Sequence, residues 1–145
     1  MKKRIVISEI EPQAYTAMFG LEKYLGTTNL EPLLKELIKI RVSQINGCAF
    51  CINLHTKDAR NMGETEQRIY ALNAWRETPF FSETECAVLA LAEEVTYIHK
   101  GVCEETYKGA EKVLGEKLLA QAIMAIATIN MWNRIAITTH QQPKL

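Results

Sequence analysis

From about residue 12 onward, apolar positions recur at helical spacing. Tyr15, Met18, Phe19, Leu21 and Leu25 mark one face of a first helix that opens at Pro12 and stops at Gly26. From Glu31-Pro32 to Asn46 the chain is apolar over more than one stripe, at Leu33, Leu34, Leu37, Ile38, Ile40, Val42 and Ile45. That width predicts a heavily buried helix, with Gly47 as its C-terminal signal. A third helix runs from Cys48 to about Met62 and ends at Gly63. Thr65 is the N-cap of a fourth, which runs to about Trp75 with Ile69 and Leu72 inward. Thr78-Pro79-Phe80-Phe81 breaks the pattern, and Ser82-x-x-Glu85 is a capping box that opens the next helix, which ends near Gly101. Cys103 to Leu114 reads as a short amphipathic helix stopped by Gly115, followed by a long last helix from about Glu116 to Thr138. Its Leu119, Ala122, Ile123, Ala125, Ile126 and Ile129 predict close packing. Residues 1–10 read as an extended arm with at most a short strand at Ile5-Val6-Ile7, and Gln141 to Leu145 as a frayed tail. No alternating pattern follows residue 10. The expectation is an all-α protein, a single domain over residues 1–145 with about six to seven helices.

Composition narrows the partners. A length of 145 residues suits one domain, and 48% hydrophobic with 23% charged residues is ordinary for a soluble globular chain. Seventeen basic side chains balance 17 acidic ones, so bulk electrostatics call for neither a nucleic acid nor a membrane surface. The basic start Lys2-Lys3-Arg4 leads into an apolar run too short for a signal-peptide core, and Leu118 to Ile129 is too short to span a bilayer. These features predict a cytoplasmic protein. In a reducing cytosol a CxxC pair is more often catalytic or metal-binding than a structural staple.

That pair sits in Gly47-Cys48-Ala49-Phe50-Cys51-Ile52-Asn53-Leu54-His55. On a helix, positions i, i+3 and i+7 share a face, which aligns Cys48, Cys51 and His55. Cys48 falls near a helix N-terminus, where free N–H groups and the macrodipole favour a thiolate. Thiolate is the reactive form of cysteine. Two cysteines on adjacent turns can close a disulfide once one has become a sulfenic acid. The stretch therefore suits a peroxide-reducing or disulfide-exchanging dithiol. The other readings are an inert buried pair and an open metal site in which Cys48, Cys51 and His55 are joined by water or Glu36. A closed structural zinc site lacks its second ligand pair. Glu36, among Leu33, Leu34, Leu37 and Ile38, is either on a solvated edge or buried with a partner, where desolvation would raise its pKa and fit it for proton transfer. Cys86 and Cys103 read as packing or capping residues. The polar block Asn130-Met131-Trp132-Asn133-Arg134, with Glu93, Glu94 and His99, reads as structural: amide hydrogen bonds and a buried Arg–Glu pair.

Taken together, Glu36, the eleven-residue gap, and Cys48-x-x-Cys51-x-x-x-His55 resemble the AhpD-like (alkylhydroperoxidase D-like) branch of the carboxymuconolactone decarboxylase superfamily. The flanking text from Leu37 to Gly47, His55 to Arg60, Ala74 to Thr78, Leu91-Ala92-Glu93 and Asn130-x-Trp132-Asn133-Arg134 carries the likeness through most of the chain. The resemblance implies an all-helical fold assembled as a trimer or hexamer, and thiol-dependent reduction of hydroperoxides without a cofactor or metal. It implies Cys51 as the peroxide-attacking thiol, Cys48 as the resolving thiol, and Glu36 and His55 as a proton relay. An external dithiol protein or lipoyl group would restore the thiols. The best-known members carry a second histidine just before the second cysteine; here that residue is Phe50, so one proton donor of the pattern is missing. Decarboxylase members lack the CxxC pair. A non-enzymatic dithiol switch and a zinc-binding interaction domain are the alternative functions.

Overall fold

The structure is a computed structural model and describes residues 4–144. Its seven α-helices are α1 (Ile7–Ile10), α2 (Pro12–Gly26), α3 (Pro32–Asn46), α4 (Ala49–Asn61), α5 (Glu66–Ala71), α6 (Glu83–Thr96) and α7 (Glu104–Thr138). Short 3-10 helices span Leu72–Glu77 and Ile98–Lys100, and there is no strand among the described residues. The fold is all-α, as the helical spacing predicts.

Most helix ends fall where the residue chemistry places them. Pro12 and Pro32 start α2 and α3, Thr65 Oγ1 accepts from Arg68 N to cap α5, and Ser82 and Glu85 form the capping box of α6. Three places differ. Ile7 to Ile10 form a helical turn instead of a strand, while residues 1–3 of the expected arm and Leu145 of the tail lie outside the described residues. The fourth helix tightens to 3-10 at Leu72, and this turn delivers Trp75 Nε1 to Glu93 Oε1 at 2.8 Å. α6 stops at Thr96, five residues before Gly101, because Tyr97 leaves helical geometry. The stop expected at Gly115 is present: its backbone leaves helical geometry (φ 72°, ψ 166°) and separates the two expected segments, which run end to end within α7.

α3 is the central element and packs against α4, α6 and α7. Its apolar width follows from serving two cores. Ile38 and Val42 join Val88, Leu91, Ala122, Ala125 and Ile126, whereas Leu37 and Ile40 join Ala59, Ile69, Leu72, Trp75 and Leu89. Each such aliphatic side chain contributes about 1.5–3 kcal/mol on burial. Ala122 and Ala125 are fully buried, and these small side chains let α7 lie close against its neighbours.

The polar block of α7 locks α3 to α6. Asn133, with no exposure, donates to Ser43 Oγ at 3.0 Å and accepts from Asn46 Nδ2 at 2.9 Å. Asn46 also reaches Asn130 Oδ1 at 2.9 Å, and Asn130 donates to Thr96 Oγ1 at 3.1 Å. The expected amide bonds are present. The Arg–Glu pair lies elsewhere: Arg134 caps Asn130, while Arg41 pairs with Glu93 at 2.9 Å. Because Asn46 precedes the turn into the cysteines, this network also steadies their approach. Asn133→Ala strands the Asn46 and Ser43 groups and opens a cavity, so it is expected to cost about 2–4 kcal/mol. Thermal unfolding checks this, with a fall in Tm of roughly 5–10 °C.

Candidate active site

Two helices meet at the CxxC stretch with almost no loop. Gly47 closes α3 in the left-handed region (φ 71°), which a glycine adopts without Cβ strain, and Cys48 is already the N-cap of α4. Cys48 Sγ accepts the Cys51 backbone N–H at 3.3 Å. The two cysteines form a disulfide with Cα atoms 5.4 Å apart, and both are buried. They differ in access. Cys51 lines a cavity of about 430 Å³, which Cys48 does not reach.

His55, one turn beyond Cys51, lines the same cavity. Its Nδ1 is 2.9 Å from Glu36 Oε2, and Glu36 Oε1 accepts from Lys39 Nζ at 2.9 Å. Glu36 is 4% exposed, so of the two placements open to it the buried one with partners holds. Burial pushes its pKa upward, but the hydrogen bond to His55 and the charge of Lys39 outweigh that and hold it below the ordinary 4.5. The raised pKa expected from desolvation alone is therefore reversed, because the sequence pattern does not count partners. An ionised Glu36 accepts a hydrogen bond from His55 Nδ1, which leaves the other ring nitrogen, Nε2, for a second partner.

Aromatic side chains build the rest of the cavity. Tyr15 and Phe19 of α2, Phe50 of α4 and Trp132 of α7 line it. The Trp132 ring lies 5.5 Å from both the Tyr15 and Phe19 rings, and its Nε1 donates to Glu22 Oε1 at 2.9 Å. Tyr15 and Phe19 read as ordinary core positions, yet Phe19 is 58% exposed and serves as cavity wall. Lys39 and Trp132 also line the site, although the sequence pattern does not single them out for it. The i,i+3 spacing from Glu36 is the signal for Lys39, whereas nothing local distinguishes Trp132 from its polar neighbours.

The metal reading finds a different trio. Glu36, His55 and Asp58 offer ligand atoms within 4.8 Å of one another. The sulfurs of Cys48 and Cys51 are bonded to each other, and the Lys39 ammonium already occupies one Glu36 oxygen, so a second cation there meets a like charge. The remaining residues stay apart from the cavity. Cys103 Sγ caps α7 by accepting from Thr106 N, and Glu94 binds the Cys103 N–H. Cys86 Sγ faces the Phe81 carbonyl, and burial together with Glu85 pushes its thiol pKa up. His99 lies in the short 3-10 helix with its ring against Tyr97.

Comparison with known proteins agrees with this architecture. The carboxymuconolactone decarboxylase family model matches residues 12–94, a span that holds Glu36, both cysteines and His55. The chain is 47% identical over 138 residues to the uncharacterised protein YdfG of Bacillus subtilis, covering 94% of each. It is similar to the crystal structure of a protein of unknown function from Agrobacterium tumefaciens, described as a candidate antioxidant defence protein AhpD. The TM-score is 0.96 at 36% identity over 99% of both chains. An alkylhydroperoxidase AhpD core structure, an uncharacterised peroxidase-related protein from Ralstonia eutropha JMP134, shares the fold at TM-score 0.81. Its identity is 21%, over 94% of this chain and 74% of that one.

Proposed function

The chain belongs to the carboxymuconolactone decarboxylase family, in its AhpD-like branch, and on that premise we propose that it is a thiol-dependent peroxidase that reduces hydroperoxides. The family includes enzymes, and the observation that carries this particular activity is Cys51. It is the one cysteine of the CxxC pair that opens onto an apolar cavity, beside the His55–Glu36 pair. In the reduced protein His55 Nε2 accepts the Cys51 thiol proton. The thiolate attacks the terminal oxygen of the hydroperoxide, the O–O bond breaks, and the alkoxide takes the proton and leaves as an alcohol. Cys51 is then a sulfenic acid. Cys48, whose sulfur at the helix cap favours the thiolate, attacks the Cys51 sulfur, and hydroxide leaves as water with another proton. Two electrons from an external dithiol protein or lipoyl group reopen the disulfide by thiol exchange. With Phe50 between the cysteines, His55 alone carries the proton for both halves. We place the enzyme in the cytoplasm as a homo-oligomer, trimer or hexamer.

The test is mass spectrometry with peptide mapping of the reduced protein after brief exposure to one equivalent of an organic hydroperoxide. Loss of two hydrogens mapped to Cys48–Cys51 is expected; thiols left unchanged where a known thiol peroxidase is oxidised would overturn the assignment. Phe50 favours a second reading, a dithiol switch without turnover. Disulfide formation that no dithiol reductant can cycle would select it. Metal content of protein purified without chelator separates both from a zinc-binding domain.

A further inference from the structure

We propose that the Cys51 cavity continues into a cationic chamber, and that the two together take a hydroperoxide with a long apolar body and a carboxylate head. The proposal rests on the peroxidase reading and adds the substrate class. A second cavity, of about 410 Å³, lies between residues 4–8 and the turn that follows α7. Tyr15 and Gln141 line both cavities, so the two share a wall. Each falls within the range that holds a small organic ligand, roughly 300–1,000 Å³.

Their chemistry is complementary. The Cys51 chamber is aromatic and contains charges of both signs, Glu22 and Asp58 against Lys39. Among the described residues no acidic side chain lines the second chamber. Its apolar walls are Ile5, Val6 and Ile7, and its basic groups are Arg4 and His140. His140 sits at positive φ (55°), and its Nδ1 is buried with no hydrogen-bond partner among the described residues. Arg4 donates from one guanidinium nitrogen to the Thr138 carbonyl at 2.6 Å, which anchors the side chain, and the rest of its donor fork meets no partner among the described residues. A carboxylate is the ligand that matches the Arg4 guanidinium, by a charge-assisted bond, with the His140 imidazole lining the same chamber. An apolar chain leaving that head passes Tyr15 and Gln141 into the aromatic chamber, where its O–O group meets Cys51.

Two measurements test this. The first compares the reduction of linoleic acid hydroperoxide, its methyl ester and cumene hydroperoxide by the wild type, Arg4→Gln and His140→Asn; asparagine tolerates the left-handed turn. The free acid is expected to show a KM about tenfold below that of the ester, and Arg4→Gln to erase the difference while cumene hydroperoxide kinetics stay unchanged. Equal KM values for acid and ester, or a preference that survives Arg4→Gln, would overturn the proposal. The second measures oleate displacement of a fluorescent fatty-acid probe from the disulfide form, where no turnover is needed. Saturable oleate binding weakened about tenfold by Arg4→Gln is expected. Absence of oleate binding defeats the chamber alone, whereas binding without reduction of any hydroperoxide defeats the peroxidase reading alone.

Discussion

Cys51→Ser is expected to bring peroxide consumption in the presence of a dithiol reductant down to the rate without protein. A serine hydroxyl in the same place is a far weaker nucleophile, and no other sulfur of the CxxC pair reaches the cavity. Cys48→Ser should behave differently. The first turn of chemistry needs only Cys51, so one equivalent of peroxide is consumed and a sulfenic acid accumulates, which a sulfenate-specific nucleophile labels at Cys51. Interchanged outcomes for the two variants would reverse the assignment of attacking and resolving thiols. Neither change should unfold the protein. The disulfide closes a loop of only four residues, and the chain entropy it removes is correspondingly small. Circular dichroism of both variants checks that the loss belongs to chemistry.

Glu36→Gln is expected to slow Cys51 oxidation by about 10²-fold at neutral pH, the scale on which a positioned base is lost. The amide still accepts a hydrogen bond from His55 but carries no charge to support the imidazolium that forms when the thiol proton arrives. A second signature is visible in stability. The folded protein holds the Glu36 carboxyl below its ordinary 4.5, through His55 and Lys39 acting against burial. The folded state thus prefers the ionised form more than the unfolded chain does. The resulting stabilisation is complete above about pH 4.5 and disappears as pH falls through the lower, folded value. Thermal unfolding of the wild type and Glu36→Gln should therefore show a gap in Tm at pH 7 that narrows on acidification below pH 4.5. The wild type continues to lose stability there because Glu85 and Glu93 are also held low by arginine partners. A gap that stays constant with pH would mean that Glu36 acts only by packing, and the relay assignment would fall with it.

The aromatic wall shows where the sequence signal ends. Phe19 and Tyr15 satisfy the helical period as well as Met18 and Leu25 do, and the period alone places all four against a core. Met18 and Leu25 are buried there, but Phe19 is left open at the cavity because the element opposite it is Trp132, more than a hundred residues away. The same limit appears at Glu36. Its apolar neighbours left a solvated edge and a buried, partnered place both open, with a raised pKa for the buried one, and both the place and the direction were set by which partners arrived.

Local chemistry by itself determined the helices and the chain reversals. Proline starts, side-chain caps, the left-handed glycine at Gly47 and the break at Gly115 act through the backbone of adjacent residues, so their effect is written in adjacent letters. The spacing of Glu36, Cys48, Cys51 and His55 was legible for the same reason, since three of the four lie on one helix or at its cap and the fourth on the preceding one. Tertiary structure alone decided which cysteine faces the cavity, that Trp132 is tethered to Glu22, that Lys39 balances Glu36, and that a basic chamber adjoins the site. These depend on side chains brought together from α2, α3, α4, α7 and the turn after it. Contacts over such sequence distances are set by the packing of whole helices, which no local pattern records.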